Sequence, residues 1–287
     1  MPRHSGSFAG VNGATALPVP ETGFLSHALG MRVLSALVLA VPVLASVYVG
    51  SPVFELVISA AALAMVWEWY RMCAPGAPAV AVVALGATLV ASIVAVGLTQ
   101  TTSSLAVLGI GAVVVFIVSR RQVWLGAGVF YIGLPCIAMI WLRNDPATGR
   151  ETMFWLLGLV WASDIGAYAF GRLIGGPKLA PAVSPNKTWA GLFGAIICAG
   201  FVGVAAAAVL DLEEFWRLAL ISAILGATAQ AGDLLESWIK RRFGVKDAGC
   251  LIPGHGGFLD RADALIAAVV ITALITAIGK GSMLTWL

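Results

Sequence analysis

Long apolar runs separated by short polar joints dominate the chain, and their lengths set its architecture. An apolar stretch of about 17 to 25 residues crosses the hydrocarbon layer as a helix, because in lipid each backbone N–H and C=O has to be bonded within its own segment. Such runs fall near 31–50, 53–71, 79–98, 104–119, 123–142, 152–174, 189–210, 216–238 and 264–284. The pattern predicts an all-α, polytopic integral membrane protein of about nine transmembrane helices. Residues 31–287 then form a single transmembrane domain with no room for a separate soluble one. Residues 1–30, rich in Gly, Ser, Pro and Ala, lack the layout of a secretory signal and read as a flexible polar tail. No internal repeat stands out, and small-residue pairs such as Gly191 with Gly194 or Gly109 with Gly111 are too common in spans to predict an oligomer.

Composition agrees with a bilayer environment. The 287 residues are 60% hydrophobic and 11% charged, with a mean hydropathy of +0.96, more apolar surface than one water-soluble core can bury. A net charge of +3 is too small to suggest nucleic-acid binding. Its distribution is more informative. With the N-terminus in the cytoplasm, the inner loops carry Arg3, Arg32, Arg71, Arg120, Arg121, Arg172, Lys178, Lys187, Lys240, Arg241, Arg242, Lys246 and Arg261, whereas the outer side keeps Arg143, Arg150, Arg217 and Lys280. That asymmetry follows the positive-inside rule and places both of the most polar loops, 172–188 and 239–263, on the cytoplasmic face. Cys73, Cys136, Cys198 and Cys250 lack the short spacing of a zinc or redox motif and read as packing residues.

Acidic residues inside spans cost about 2.5 to 3.5 kcal/mol at a helix centre on insertion scales, so each needs a partner or a watery cavity. In "WASDIGAYAFGR", Asp164, Tyr168 and Arg172 share a helical face. Asp164 fits either a packing interaction or a functional role. In "GDLLESWIKRR", Asp233, Glu236, Ser237 and Lys240 share another face. Glu55 and Glu68 have little polar company and read as structural residues near the interface. The loop "GGPKLAPAVSPNKTWAG" offers Lys178, Ser184, Asn186, Lys187 and Thr188, with Gly and Pro holding it open, a composition suited to phosphate or to anionic headgroups. In "VKDAGCLIPGHGGFLDRADA", Gly254, Gly256 and Gly257 allow close backbone approach to a ligand, and the helix that follows presents its N-terminal amides. Asp260 and Asp263, at i and i+3, face one site; carboxylates are the hard ligands Mg²⁺ prefers, although an Asp at a helix start also serves as a cap.

These residues carry a resemblance. The stretch "SWIKRRFGVKDAGCLIPGHGGFLDRAD" is similar to the signature of the phosphatidate cytidylyltransferases, or CDP-diacylglycerol synthases: S-x-apolar-K-R, four residues, K-D, then H-G-G, apolar, x, D-R, x, D. Ser237, Lys240, Arg241, Lys246, Asp247, His255, Gly256, Gly257, Asp260, Arg261 and Asp263 fall in register, and "SPNKTWAG" resembles the family's S-P-x-K-T-x-x-G loop. Ala262, Ala190 and Ala264 depart from the usual residues. The resemblance implies transfer of the cytidylyl group of CTP to phosphatidic acid with Mg²⁺ required, metal ligation by Asp233 and Asp260, and a homodimer.

On that basis Asp233, Asp260, Asp263, Lys240 and Arg261 are the expected catalytic residues. Lys178, Ser184, Asn186, Lys187, Thr188, Arg241, Lys246, His255, Gly256 and Gly257 are expected to bind substrate. A second cation, monovalent or divalent, is compatible with the site. The expected location is a bacterial-type inner (plasma) membrane with the site on its cytoplasmic side. A transporter would place its polar residues at the midplane between repeats, whereas here they crowd one edge. A CDP-alcohol phosphotransferase would carry a D-G-x-x-A-R pattern, which the chain lacks.

Overall fold

The computed structural model describes residues 38, 40–98, 100–251, 256–279 and 281–284. The polar tail, the start of the first expected span and His255 lie outside the described residues. The helices are α1 (Ala40–Val49), α2 (Val53–Cys73), α3 (Ala79–Gly97), α4 (Thr101–Val118), α5 (Val123–Arg143), α6 (Gly149–Leu173), α7 (Trp189–Val209), α8 (Phe215–Arg242) and α9 (Leu259–Gly279). Among the described residues, α2 to α9 are long and apolar enough to cross a membrane. The chain is an all-α polytopic membrane protein. Its helices are apolar around most of their circumference, because lipid and protein neighbours both accept the same side chains. Large residues such as Leu173, Val209 and Ile278 stay exposed on the outside, while Trp69, Leu85, Ile132 and Leu156 are buried inside.

Two departures from the expected layout bear on the site. The segment after α6 is a hairpin rather than an open loop: β1 (Lys178–Ala180) pairs antiparallel with β2 (Ser184–Thr188). Gly175 and Gly176, at φ of 67° and 92°, supply the left-handed backbone that turns the chain out of α6. The last helix also begins five residues before the expected 264, so the polar run carrying Asp260 and Asp263 is already helical.

Two helical groups meet along α5 and α9. In one, α2, α3 and α4 pack around α5; in the other, α7 lies between α6 and α8, and α9 packs on both α8 and α5. The α6–α7 seam is built on glycine. A Cβ at Gly194 would lie 2.5 Å from Cβ of Phe170 and 2.6 Å from the carbonyl oxygen of Gly166, so the helices touch backbone to backbone.

The helices alternate direction, which sorts the polar residues between two ends. At one end, Trp69 near the close of α2 donates to the carbonyl of Trp124 at the start of α5 (2.8 Å), and Trp124 packs on Trp238 and Phe243 at the close of α8. The hairpin and the start of α9 are at this same end, with Arg71, Arg120, Arg121, Arg172, Lys240, Arg241 and Arg242. At the other end, Arg143 of α5 donates through Nε to the carbonyl of Val47 (2.6 Å), closing α5 onto α1, and the Thr148 and Ser282 hydroxyls join the start of α6 to the segment after α9. Cys73 and Cys136 are buried, as expected of packing residues, but Cys250 is exposed in the turn before α9.

Replacing Gly194 with Val should separate α6 from α7, lower the midpoint of thermal unfolding in detergent and reduce the yield of monodisperse protein. Gly109→Val on α4, where a Cβ would meet nothing within 4 Å, should leave both unchanged.

Candidate active site

The site starts from a close approach of α8 to α9. A Cβ at Gly232 would sit 2.6 Å from Cβ of Ala267 and 2.7 Å from the carbonyl oxygen of Asp263, so only glycine permits this crossing. Asp233 follows directly on α8, and Asp263 stands on the facing turn of α9 within electrostatic reach of Asp233, Asp164 and Lys240. Lys187, at the end of β2, brings its Nζ to 2.7 Å from Oδ2 of Asp233. The same ammonium group donates to the backbone carbonyl and Oε1 of Gln230 at 3.3 and 3.2 Å. Gln230, only 3% exposed, donates in turn to Oδ1 of Asp164 at 3.1 Å and to Ser163 at 3.3 Å. One polar chain therefore runs from the sixth span through the eighth to the hairpin. Of the two roles that fit Asp164, the geometry supplies the packing interaction, through Gln230.

Nearer the end of the bundle, Lys240 is held between two carboxylates, Asp260 Oδ1 at 2.6 Å and Glu236 Oε1 at 3.2 Å. Lys240 is 8% exposed and Glu236 fully buried, so the ammonium offsets charge that the low-dielectric interior would otherwise not tolerate. Neither oxygen of Glu236 accepts a hydrogen bond, which leaves this carboxylate under-satisfied despite the ion pair. Asp260 is the opposite case. Its oxygens also accept from the amides of Ala248 (3.0 and 3.2 Å) and Gly257 (2.9 Å), so it closes the α8–α9 turn and reaches back over the start of its own helix. The cap role open to Asp260 is thus present together with the Lys240 pair.

The start of α9 holds the main surprise. Its first amides were expected to face a ligand, but they are already taken: Phe258 N–H and Leu259 N–H donate to the two oxygens of Glu68, at 2.9 and 2.8 Å. Glu68 comes from α2 and is 1% exposed, and the structural role expected of it takes the form of a cap on another helix. The glycines around it make room for carboxylates. A Cβ at Gly249 would lie 2.5 Å from Glu68 Oε1, and one at Gly257 would meet Glu68 Oε2 and Asp260 Oδ2, each at 2.9 Å. Gly256, at φ of 84°, adds the left-handed backbone that the turn requires. No local sequence signal pointed to Glu68, because its partners are backbone groups about 190 positions away in the chain.

The other expected residues are distributed unevenly. Lys187 and Lys240 are in the cluster. Thr188 is buried, and its hydroxyl oxygen accepts from Gly191 N–H as the cap of α7. Arg241 donates to the carbonyls of Val183 (3.3 Å) and Val245 (3.1 Å), tying the hairpin to the end of α8. Ser184 is half-buried and Asn186 exposed on β2, and Arg261 is exposed on the first turn of α9. Lys178 and Lys246 are exposed and make no ion pair among the described residues.

Beside the carboxylates lies a groove of about 340 Å³ between α5, α8 and α9. Leu134, Pro135, Leu235, Ile266 and Val270 make it apolar, and Asp263 stands at its polar edge. A lipid tail matches such a wall. Among the described residues, no three His, Cys, Asp or Glu side chains converge into a ready-made metal cage. Mg²⁺ does not require one, since it usually takes one or two carboxylates and fills its remaining positions with water and substrate phosphate. Asp233, Asp263 and Glu236 fit that need, because their lone pairs are not all engaged, whereas Asp260 would take up a metal by exchanging its Lys240 ammonium partner for it.

Comparison with known proteins bears directly on this end of the bundle. The profile of the cytidylyltransferase family matches residues 30–278. The chain belongs to the cytidylyltransferase family. Phosphatidate cytidylyltransferases of Brucella suis biovar 1 (strain 1330) and Brucella melitensis biotype 1 are each 38% identical to it over 250 residues, covering 86% of this chain and 93% of theirs. The phosphatidate cytidylyltransferase of Staphylococcus epidermidis (strain ATCC 12228) is 42% identical over 139 residues, 48% of this chain and 52% of that one. The family match takes in α6, α7, α8 and all but the last residue of α9 of this cytidylyltransferase, including the Lys187–Asp233, Lys240–Glu236 and Lys240–Asp260 pairs.

Lys240→Met should leave Glu236 and Asp260 without their ammonium partner and destabilise the fold by about 3–5 kcal/mol, read as a lower midpoint of thermal unfolding. Adding Glu236→Gln to that variant should recover part of the loss.

Proposed function

We propose that this protein transfers the cytidylyl group of CTP to phosphatidic acid, producing CDP-diacylglycerol and pyrophosphate at the cytoplasmic face of a bacterial-type inner membrane. The observation that carries the reading is the placement of the signature: α8 and α9 bring Asp233, Lys240, Asp260 and Asp263 to one end of the bundle, beside an apolar groove between α5, α8 and α9. The names of the relatives support the same substrates. A site at this depth serves both, since CTP arrives from water and the lipid remains in its leaflet.

In the reaction a phosphate oxygen of phosphatidic acid forms a bond to the α-phosphorus of CTP, and the bond from that phosphorus to the bridging oxygen of pyrophosphate breaks. A phosphate monoester, with a second pKa of about 6, is already largely dianionic at neutral pH, so no general base is required. The difficulty is repulsion between two polyanions. Mg²⁺, held by Asp233 and Asp260 with Asp263 as a third ligand or a group behind them, would supply Lewis-acid charge neutralisation. A second cation is compatible with the surplus carboxylates around Glu236. Lys187 and Lys240 hold positive charge within hydrogen-bonding distance of those carboxylates, and Arg241 and Arg261 add cationic groups at the rim. They bind phosphate oxygens and set the line of attack. Ser184, Asn186, Lys178, Lys246 and His255 complete the nucleotide side. The excess of Lys and Arg at this end supports a cytoplasmic orientation. The working form is a homodimer.

Purified protein should move radiolabel from CTP into lipid only when phosphatidic acid and Mg²⁺ are both present, and a chelator should stop the transfer. Asp260→Asn should lower kcat by about a hundredfold or more while the variant stays monodisperse. Equal activity in that variant would remove the metal assignment, and transfer to lipids without a phosphate monoester would remove the substrate assignment. In sealed inside-out vesicles, externally added CTP should be used; in right-side-out vesicles it should not.

A further inference from the structure

We infer that Glu68 is a positioning residue that holds the first turn of α9, and with it Asp260 and Asp263, in register for the reaction; this rests on the function proposed above. The inference begins from an oddity of the cap. A helix start is ordinarily satisfied by a Ser, Thr, Asp or Asn of its own chain segment. Here the position before Phe258 is glycine, and the acceptor comes from another membrane helix. Both Glu68 oxygens are used, one on each of two successive amides, so the carboxylate fixes the direction of α9 as well as its starting point. Its negative charge also complements the positive end of the helix dipole.

The arrangement is built around this contact. Gly249 and Gly257 both approach the Glu68 carboxylate so closely that a side chain at either would collide with it. Asp260 uses the adjacent amide, Gly257 N–H, and also Ala248 N–H, so the Glu68 and Asp260 carboxylates grip the same turn from two sides. If Glu68 is lost, Phe258 and Leu259 have no acceptor, and the turn that aims Asp260 at Lys240 is held from one side only. The contact also withholds these amides from phosphate, which leaves lysine and arginine side chains to bind the anionic substrates.

The test uses the full chain in detergent, with Glu68→Ala, Glu68→Gln and, as a control at the opposite end of the same helix, Glu55→Gln. Hydrogen–deuterium exchange across 256–264 should quicken about tenfold or more in Glu68→Ala, with α3 unchanged. The kcat should fall about 10- to 100-fold and the Mg²⁺ concentration for half-maximal rate should rise, with KM for phosphatidic acid constant. Glu68→Gln, which keeps a carbonyl acceptor, should recover part of both effects, and it replaces the alanine variant if that does not fold. Glu55→Gln should match the unmodified protein. Unchanged protection of Phe258 and Leu259, or faster exchange with kcat and Mg²⁺ dependence unaltered, overturns the inference. If the unmodified protein makes no CDP-diacylglycerol, the proposed function fails, and the exchange result alone then decides whether Glu68 holds the turn.

Discussion

Carboxylates placed inside a bundle of membrane helices have to be matched by cations or donors supplied by the protein, and that requirement organises the functional half of this structure. Water is scarce at this depth, so an unpaired charge costs several kcal/mol. The chain meets the requirement with two long lysines. Lys187 descends from the hairpin to Asp233, and Lys240 turns inward between Glu236 and Asp260. The hairpin, the Gln230 chain and the α8–α9 turn can each be understood as what is needed to bring those ammonium groups into place.

The same groups connect stability with chemistry. Both lysines neutralise carboxylates that the proposed reaction uses, so the ion pairs that make the fold tolerable are also the ones a polyphosphate and a divalent cation would compete for. Glu236 is fully buried, accepts no hydrogen bond among the described residues, and is paired with Lys240. A protein selected only for stability would gain by replacing such a group with an apolar one. Its presence beside Asp260 is what the function proposed above would require of this end of the bundle.

Much of this was legible in the sequence. The spans were, because an apolar run of given length has few other solutions in lipid, and the carboxylates of α8 and α9 were, because their spacing places them on helix faces that meet. The hairpin at Lys178–Thr188 was not: Gly and Pro announce a turn there, but short strands with polar faces carry almost no periodic signal. The early start of α9 was hidden for a related reason. Polar residues such as Asp260 and Arg261 lower the local hydropathy, and the acceptor that stabilises the helix start is supplied by Glu68 on a distant helix. Thr188 shows a further limit, since its hydroxyl suits phosphate and a helix cap equally, and composition does not separate the two.

The clasp at the far end has a mechanical corollary. Arg143 fastens α5 to the close of α1, and the Thr148–Ser282 contact fastens the start of α6 to the chain beyond α9. The bundle is thus fastened at both extremities: guanidinium and hydroxyl contacts close the far end, and the carboxylates of Glu68 and Asp260 close the other, so α5 and α9, which border the apolar groove, run between two sets of anchors.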